Sequence, residues 1–459
     1  MTETKIIVLD DDPTGSQTVH SCLLLTRWDK DTLREAIMDA SPLFFVLTNT
    51  RGMAAGPAAD ITREVCRNLK LALAELKQGG HDINPIMVSR SDSTLRGHYP
   101  VETDVIASEL GAFDAHFLVP AFFEGGRITR DSVHYLMVDG RETPVHETEF
   151  ARDSVFGYHH SYLPDYVEEK TAGRIRAVEV ERFLLRDVRG DSLPRLMRLR
   201  GNVCCVVDAE TQDDLNHFAE QLRLAAGQGK HFLFRSAASL LTALAGLPRQ
   251  PVAAEDMAQY VRGGKAGAVI VGSHVKKTTA QLEQLLKMPG VVPIEVDVGQ
   301  LPEKREAMLA EIIRKCEQSH AAGETPVVFT SRAEKAFPDQ ATRLAFGDMV
   351  SGFLMDVVRN LPVTLGFLIS KGGITSNDVL SSGLALRTSR VVGQILPGCS
   401  VVCCPADHPR YPDMPVVIFP GNVGDDQALA TVYHRLAAKE KALAGYRCGS
   451  ASVPQRSLI

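Results

Sequence analysis

The first apolar run of this 459-residue chain, Ile6-Ile7-Val8-Leu9, ends in Asp10-Asp11-Asp12-Pro13-Thr14-Gly15, which sets three carboxylates side by side. Charges of one sign held that close call for a cation, a proton or a substrate hydroxyl to offset them. A second polar string, Arg90-Ser91-Asp92-Ser93-Thr94-Leu95-Arg96-Gly97, follows the run Pro85-Ile86-Met87-Val88. Arg51, Arg90, Arg96 and Arg127 accompany these acids downstream of apolar runs. The guanidinium fork can donate two parallel hydrogen bonds to a carboxylate or a phosphate, while carboxylates suit hydroxyl groups, a metal or a proton to be removed. Together they describe a site for a small polyhydroxylated acid. A solvated turn and Arg–Asp pairs internal to the fold are the plainer alternative.

A different chemistry is written into the second half. Gly272-Ser273, Lys371-Gly372-Gly373-Ile374-Thr375-Ser376 and Gly421-Asn422-Val423-Gly424 each follow an apolar run and precede a helical pattern. Glycine lets the backbone approach a phosphate, and a helix start presents free N–H groups to it. Three such loops point to the phosphate tail of a nucleotide, although none has the P-loop spacing and ordinary turns into helices would look alike.

The elements that must position these residues alternate strand and helix. Short apolar runs of strand length, at 6–9, 22–25, 43–47, 85–88, 117–119, 203–207 and 232–234, end in polar residues, as parallel strands buried on both faces do. Between them, Ile61, Val65, Leu69, Leu73 and Leu76 recur every three or four residues and predict a helix from Pro57 to Gln78, stopped by Gly79-Gly80. Residues 127–190 are irregular apart from a hairpin expected over Val133 to Pro144. The rhythm restarts at Ala268-Val269-Ile270-Val271 and continues to a strand at Val416 to Phe419 and a closing helix. Two prolines in Gly246-Leu247-Pro248-Arg249-Gln250-Pro251 mark a linker, so two α/β domains are expected, 1–246 and 247–459, with mostly parallel sheets. Ligands of open α/β sheets bind at the carboxyl ends of the strands. The tail after Gly449 reads as disordered.

With 44% apolar residues, 23% charged residues and a net charge of −6, the chain has no electrostatic footprint for nucleic acid or an anionic membrane. No run approaches the length of a membrane span, and Met-Thr-Glu-Thr-Lys leads directly into a strand, so a cytoplasmic location is expected. The nine cysteines, with Cys204-Cys205 and Cys403-Cys404 inside apolar runs, read as reduced core residues.

Asp10, Asp12 and Thr14 also have the Asp-x-Asp-x-Thr spacing of haloacid-dehalogenase-type phosphatases, and Leu47-Thr48-Asn49 resembles their second motif. Asp10 would then be a nucleophile and Asp12 a general acid and base. That reading leaves Ser91 to Gly97 and the glycine loops without a role.

Asp11-Asp12-Pro13-Thr14-Gly15 and Asp92-Ser93-Thr94-Leu95-Arg96-Gly97 resemble the two leading motifs of the four-carbon acid sugar kinases, and Pro120-Ala121-Phe122 to Gly126-Arg127, Gly272-Ser273 and Gly372-Gly373-Ile374-Thr375 follow in that family's order. The resemblance spans nearly the whole chain. It implies an N-terminal domain for a tetronate or 3-oxo-tetronate, a C-terminal domain for ATP, an active site in the cleft between them, and phosphorylation of the acid's terminal hydroxyl, with Mg²⁺ bridging the ATP phosphates. It implies substrate contacts from Asp12, Arg51, Arg90, Ser91, Asp92, Ser93, Thr94 and Arg96, and ATP contacts from Ser273, Gly372, Gly373, Ile374, Thr375 and Gly421. Three positions depart from the family pattern: Arg90 where lysine is frequent, Ile374 where a polar or acidic residue is common, and Val423 in place of an aromatic residue. They bear on which tetronate, branched relative or oxidised relative is held.

The expected function is an ATP-dependent sugar-acid kinase with Asp12 as the catalytic base or orienting group. The alternatives are the Asp10 phosphatase and a ligand-binding regulator without turnover. Sugar acid and ATP are the expected partners, with no nucleic acid or membrane, and a homo-oligomer is compatible with the sequence although no face for one stands out.

Overall fold

Short runs of aliphatic and aromatic residues, buried along almost their whole length, form the central strands of both halves. The computed structural model describes residues 3–332, 339–421 and 423–437. The tail after Gly449 and the loop residue Asn422 lie outside the described residues. Contacts divide the chain into two units, Met1–Arg249 and Gln250–Ile459.

The strands of the first unit are β1 (Glu3–Asp10), β2 (Cys22–Leu25), β3 (Leu43–Leu47), β4 (Ile83–Arg90), β5 (Ala115–Val119), β6 (Arg127–Arg130), β7 (Val133–Val138), β8 (Arg141–Pro144), β9 (Glu181–Phe183), β10 (Val203–Val207) and β11 (Phe232–Ser236). Eight of them make a sheet in the order β2-β3-β1-β4-β11-β5-β10-β9, with every pairing parallel. The register puts Leu47, Asp10, Arg90, Ser236 and Val119 in one row across five neighbouring strands. Whatever follows these residues therefore emerges side by side at the carboxyl edge.

Helices seal the sheet. Ile7 and Leu9 of β1, Phe44 and Val46 of β3 and Met87 of β4 pack with Leu33, Ile37, Val65, Leu69, Leu76 and Ile106 from three helices. The expected long helix runs Ala55–Gln78, with Val65, Leu69 and Leu76 buried. Helix Lys30–Met38 starts where Asp29 accepts from the Thr32 N–H, and helix Gln212–Gly227 starts at a Thr211/Asp214 capping box. In the other part of the core, the Phe117 ring centroid lies 5.3–6.1 Å from those of Phe183, Phe218, Phe232 and Phe234.

The hairpin expected over Val133 to Pro144 is present as β7-β8, and β6, which the sequence pattern did not announce, pairs with β7 to complete a three-stranded antiparallel sheet. One sequence expectation needs correction here. Among the described residues seven cysteines are free and buried, but Cys403 is disulfide-bonded, so the uniformly reduced reading fails at that position.

The second unit contains β12 (Ala268–Val271), β13 (Val291–Val296), β14 (Thr325–Thr330), β15 (Leu368–Lys371), β16 (Thr388–Leu396), β17 (Cys399–Cys403) and β18 (Pro415–Phe419). The order β13-β14-β12-β15-β18 is parallel, and β17 and β16 continue it antiparallel. Val271, Lys371 and Phe419 share a row, so the three glycine loops leave adjacent strands. Both units are α/β folds with mostly parallel sheets. Among the described residues no helix is long and apolar enough to cross a membrane.

Phe117→Ala removes the ring shared by four aromatic neighbours and should lower stability by about 3–5 kcal/mol, read as a fall in the denaturant midpoint. A shift below about 1 kcal/mol would mean that the site collapses around the loss.

Candidate functional site

The backbone ladder of the first unit continues past the strands. Thr48 N and Asn49 N both donate to Asp10 O, Arg51 N to Asp11 O, Asp11 N to Arg90 O, and Ser91 N to Ser236 O, at 2.9–3.3 Å. This lacing fixes the side chains that follow the row of strand ends.

They form two layers. In the lower, buried layer Asp11 accepts from the Arg51 guanidinium at 2.5 and 3.2 Å and from Ser91 Oγ at 2.5 Å. Arg90 Nη1 lies 3.3 Å from Asp10 Oδ1 and 4.0 Å from Asp11 Oδ1. Arg235 donates to Ser91 Oγ, Ser89 Oγ and Glu102 Oε2, and Glu102 also accepts from Thr50 Oγ1. The upper layer is only partly buried, with side-chain exposures of 23% at Asp12, 19% at Arg51, 14% at Asp92 and 25% at Arg96. Asp12 accepts from Thr14 N at 2.8 Å and Thr14 Oγ1 at 2.5 Å on one oxygen, and its other oxygen lies 3.3 Å from Arg51 Nη1. Asp92 accepts from Thr94 Oγ1 and from Arg96 Nε, and Arg96 Nη1 is 3.6 Å from Asp153.

Several buried polar atoms here have no partner among the described residues: Asp10 Oδ2, Arg90 Nε, Arg127 Nε and Ser236 Oγ. Orphaned polar atoms are rare inside folded proteins, and three of these four lie in one row of strand ends, which marks a place suited to a polar ligand. Two glycines are forced by close approach. A Cβ on Gly15 would lie 1.9 Å from Asp10 Oδ2, and one on Gly97, whose φ is +108°, would lie 2.3 Å from Ser91 Oγ and 2.9 Å from Asp11 Oδ2.

The two flanking carboxylates differ in protonation. Burial pushes Asp10 up to about 7, Arg90 and Arg51 opposing and Asp11 and Asp12 adding to it. At Asp12 burial works in the same upward direction, but Arg51, Arg90 and the two Thr14 hydrogen bonds outweigh it and hold the carboxyl below its usual range. Asp12 is thus an accessible anion, and Asp10 is fully buried.

In the second unit the three glycine loops touch one another. Gly372, at φ +120°, would bring a Cβ to 3.0 Å from Ser273 Cβ, and a Cβ on Gly272 would meet Thr375 Oγ1 at 2.3 Å. Thr278 Oγ1 donates to Gly421 O at 3.0 Å and lies 3.2 Å from Ser273 Oγ, and Arg332 donates to Ser273 O. Lys371 is buried against the Phe419 ring, with Nζ donating to Pro420 O at 2.5 Å and lying 3.3 Å from Gly421 O. Burial lowers that ammonium to about 7. Gly372 caps helix Gly373–Asp378, and Ile374 stands 72% exposed beside it. Backbone this close, with one buried cation behind it, fits a phosphate tail. Among the described residues no group of three or more His, Cys, Asp or Glu is arranged to hold a metal ion.

Of the residues singled out in sequence, Asp12, Arg51, Arg90, Ser91, Asp92 and Arg96 meet in the first unit's network, with Arg90 and Ser91 in its buried layer and Asp92 and Arg96 in the exposed one. Ser93 and Thr94 lie in the loop beside it, Thr94 buried. Ser273, Gly372, Thr375 and Gly421 converge in the second unit. Sequence reasoning missed Arg235 and Glu102. Phe232-Leu233-Phe234-Arg235-Ser236 repeats the pattern of Met87-Val88-Ser89-Arg90-Ser91, an apolar strand ending in arginine and serine, and that likeness could have found Arg235. Nothing in sequence pairs it with Glu102 of helix Val101–Leu110.

Residues 6–244 match the model of a sugar-binding N-terminal domain and residues 268–429 that of a nucleotide-binding C-terminal domain. A curated D-erythronate kinase from Heliobacterium modesticaldum is 26% identical over 302 residues, a match that covers 64% of this chain and 63% of the relative's length. A crystal structure of a Haemophilus influenzae protein of the DUF1537 family is similar with a TM-score of 0.62 and 17% identity, covering 94% of this chain and 100% of that one. A Salmonella typhimurium LT2 protein, provisionally named a tRNA synthase, is similar with a TM-score of 0.67 and 18% identity, covering 95% and 98%. At those identities the two solved structures speak for the fold.

The raised Asp10 carboxyl has a consequence for stability. The unfolded chain releases this proton near the ordinary value of 3.8 and the folded protein only near 7, so the contribution is full below about pH 4 and is lost as pH rises to about 7. Asp10→Asn keeps the neutral shape, and its melting temperature should gain on that of the unaltered protein as pH is raised across that interval. A difference that stays constant with pH would mean that Asp10 is not protonated in the fold.

Proposed function

The chain belongs to the four-carbon acid sugar kinase family, and we propose that it transfers the terminal phosphate of ATP to a hydroxyl of a four-carbon sugar acid such as a tetronate, a 3-oxo-tetronate or a branched relative. One observation carries the reading: the charged network at the first unit's strand ends is incompletely satisfied, with Asp12, Arg51, Asp92 and Arg96 partly exposed and Arg90 Nε, Arg127 Nε and Ser236 Oγ buried without a partner among the described residues. Arg51, Arg96 and Arg127 suit the acid's carboxylate, and Asp12 and Asp92 suit its hydroxyls. Arg90, Ser91, Ser93 and Thr94 are assigned to the same substrate site.

Phosphoryl transfer depends on positioning and charge stabilisation more than on covalent help from the protein. Held as an anion by Arg51, Arg90 and Thr14, Asp12 is a weak base in the resting site. Its role is to accept the hydrogen bond of the attacking hydroxyl, aim that oxygen, and take its proton as the new bond forms. On the nucleotide side Ser273, Gly372, Gly373, Ile374, Thr375 and Gly421 are assigned to ATP, with backbone N–H groups against the phosphates. A Mg²⁺ ion carried on the phosphates would neutralise charge there. The phosphatase reading loses support because Asp10 is fully buried, with its carboxyl against Gly15. An aspartyl nucleophile needs access to its substrate.

The direct test is incubation with Mg·ATP and a panel of tetronates. ADP formation that depends on the acid is expected, and its absence with every acid in the panel would leave a binding protein without turnover. Asp12→Asn keeps the shape and removes the basicity, so turnover should fall on the order of a hundredfold or more with little change in ATP affinity. Full activity in that variant would remove Asp12 from the chemistry.

Gly373→Val places a β-branched side chain where close backbone approach is required. Calorimetry should show weakened ATP binding with sugar-acid binding nearly intact, and unchanged nucleotide affinity would take this loop out of the site.

A further inference from the structure

The Asp92 to Gly97 loop is held from behind in an unusual way. Three successive backbone carbonyl groups each accept a hydrogen bond from a side chain on a different element. His134 Nε2, on β7, donates to Ser93 O at 2.8 Å; Tyr158 OH donates to Thr94 O at 2.7 Å; and Tyr166 OH, from helix Leu163–Lys170, donates to Leu95 O at 2.8 Å. The His134 tautomer follows from its partners. Nε2 must carry the proton because a carbonyl can only accept, and Nδ1 receives the hydroxyl of Thr129 on β6, 2.9 Å away. All three side chains are buried, and the Tyr158 and Tyr166 rings meet edge to face at 5.6 Å.

Peptide planarity turns these bonds into a statement about the opposite face. In a trans peptide the N–H of one residue points away from the carbonyl of the residue before it. Fixing the carbonyls of residues 93, 94 and 95 therefore directs the N–H groups of Thr94, Leu95 and Arg96 away from the clamps. Leu95 N closes a turn on Asp92 O at 3.2 Å, while the Thr94 and Arg96 N–H groups find no hydrogen-bond partner among the described residues. Leu95 itself sits at φ +65°, a conformation that a branched side chain rarely adopts, and its side chain is buried with Tyr158 and Tyr166 in one apolar cluster. The surroundings impose this backbone; the local sequence would not choose it.

We propose that His134, Tyr158 and Tyr166 are positioning residues for the acid substrate, which pull the carbonyls of Ser93, Thr94 and Leu95 back so that the Thr94 and Arg96 amides face the acid's oxygens. The inference rests on the sugar-acid kinase reading and deepens it. It gives the β6-β7-β8 sheet and helix Leu163–Lys170 a function, that of an outer brace for the substrate loop. None of the three side chains touches the substrate.

The test uses the full chain with its acid substrate and Mg·ATP. Tyr158→Phe and Tyr166→Phe each delete one O–H and keep the ring, so each should raise KM for the acid about five- to tenfold, as one lost hydrogen bond implies, with KM for ATP unchanged. The double variant should raise it further. His134→Gln keeps a side-chain N–H donor and should lie close to the unaltered protein, whereas His134→Leu should show the raised KM for the acid. Unchanged KM for the acid in both phenylalanine variants overturns the proposal. So does a loss in which KM for both substrates and thermal stability worsen together, which would make the clamps general supports. A parent protein that turns over no sugar acid overturns the functional reading itself, before any variant is compared.

Discussion

Five carboxylates, those of Asp10, Asp11, Asp12, Asp92 and Glu102, stand at or behind the carboxyl edge of one parallel sheet, and the first unit depends on how their charge is held. Burying a lone carboxylate is prohibitive, so each must be paired, hydrogen-bonded or protonated. All three solutions occur. Asp11 and Glu102 are paired with Arg51 and Arg235 and take hydroxyl hydrogen bonds from Ser91 and Thr50. Asp12 and Asp92 are paired but left partly exposed. Asp10 feels both Arg90 and Arg51, but burial outweighs them and pushes it toward its neutral form. Removing any partner of the buried set would strand a charge.

The two units concentrate opposite kinds of recognition chemistry on the same architecture. The first gathers side-chain charge of both signs at its strand ends, chemistry suited to a carboxylate with several hydroxyls. The second gathers backbone, bringing Gly272, Gly372 and Gly421 close to Ser273 and Thr375, chemistry suited to the equivalent oxygens of a phosphate tail. Among its described residues Lys371 is the one fully buried cation, with Nζ donating to the Pro420 carbonyl and lying 3.3 Å from that of Gly421. Its depressed ammonium follows from the same burial, because both of its hydrogen-bond partners are neutral.

Much of this was legible in the sequence because buried parallel strands announce themselves. An apolar run with no polar alternation, ending abruptly in Asp-Asp-Asp, Ser-Arg-Ser or Lys-Gly-Gly, gives both the strand and its functional end. What the sequence did not carry was strand order. β11 is inserted between β4 and β5 although more than a hundred residues separate it from either, and that insertion alone brings Arg235 and Ser236 to the site. Layering was hidden for the same reason. Arg90 and Arg51 look alike in sequence, yet Arg90 lies beneath the surface on Asp10 while Arg51 reaches the exposed Asp12. The irregular 127–190 stretch, which lacks either period, supplies the donors behind residues 93–95, a role that only tertiary structure defines.

The difference between Asp10 and Asp12 shows how two carboxylates on one strand end are driven to opposite protonation states. Both residues sit two positions apart on one strand end, face the same arginines and begin with the same intrinsic acidity. Asp10 lies in the sheet row, where β3 and β4 flank it and Gly15 closes over it, so burial dominates. Asp12 lies two residues further out, in a turn whose Thr14 donates twice to one of its oxygens, so hydrogen bonds and cations dominate and the anion persists. The Thr-Gly pair performs both tasks at once. Thr14 stabilises the exposed anion, and Gly15, lacking a side chain, lets the turn fold down onto the carboxyl that must stay neutral. A larger residue at position 15 would separate the turn from Asp10, admit water to it, and erase the distinction on which a single accessible acceptor depends.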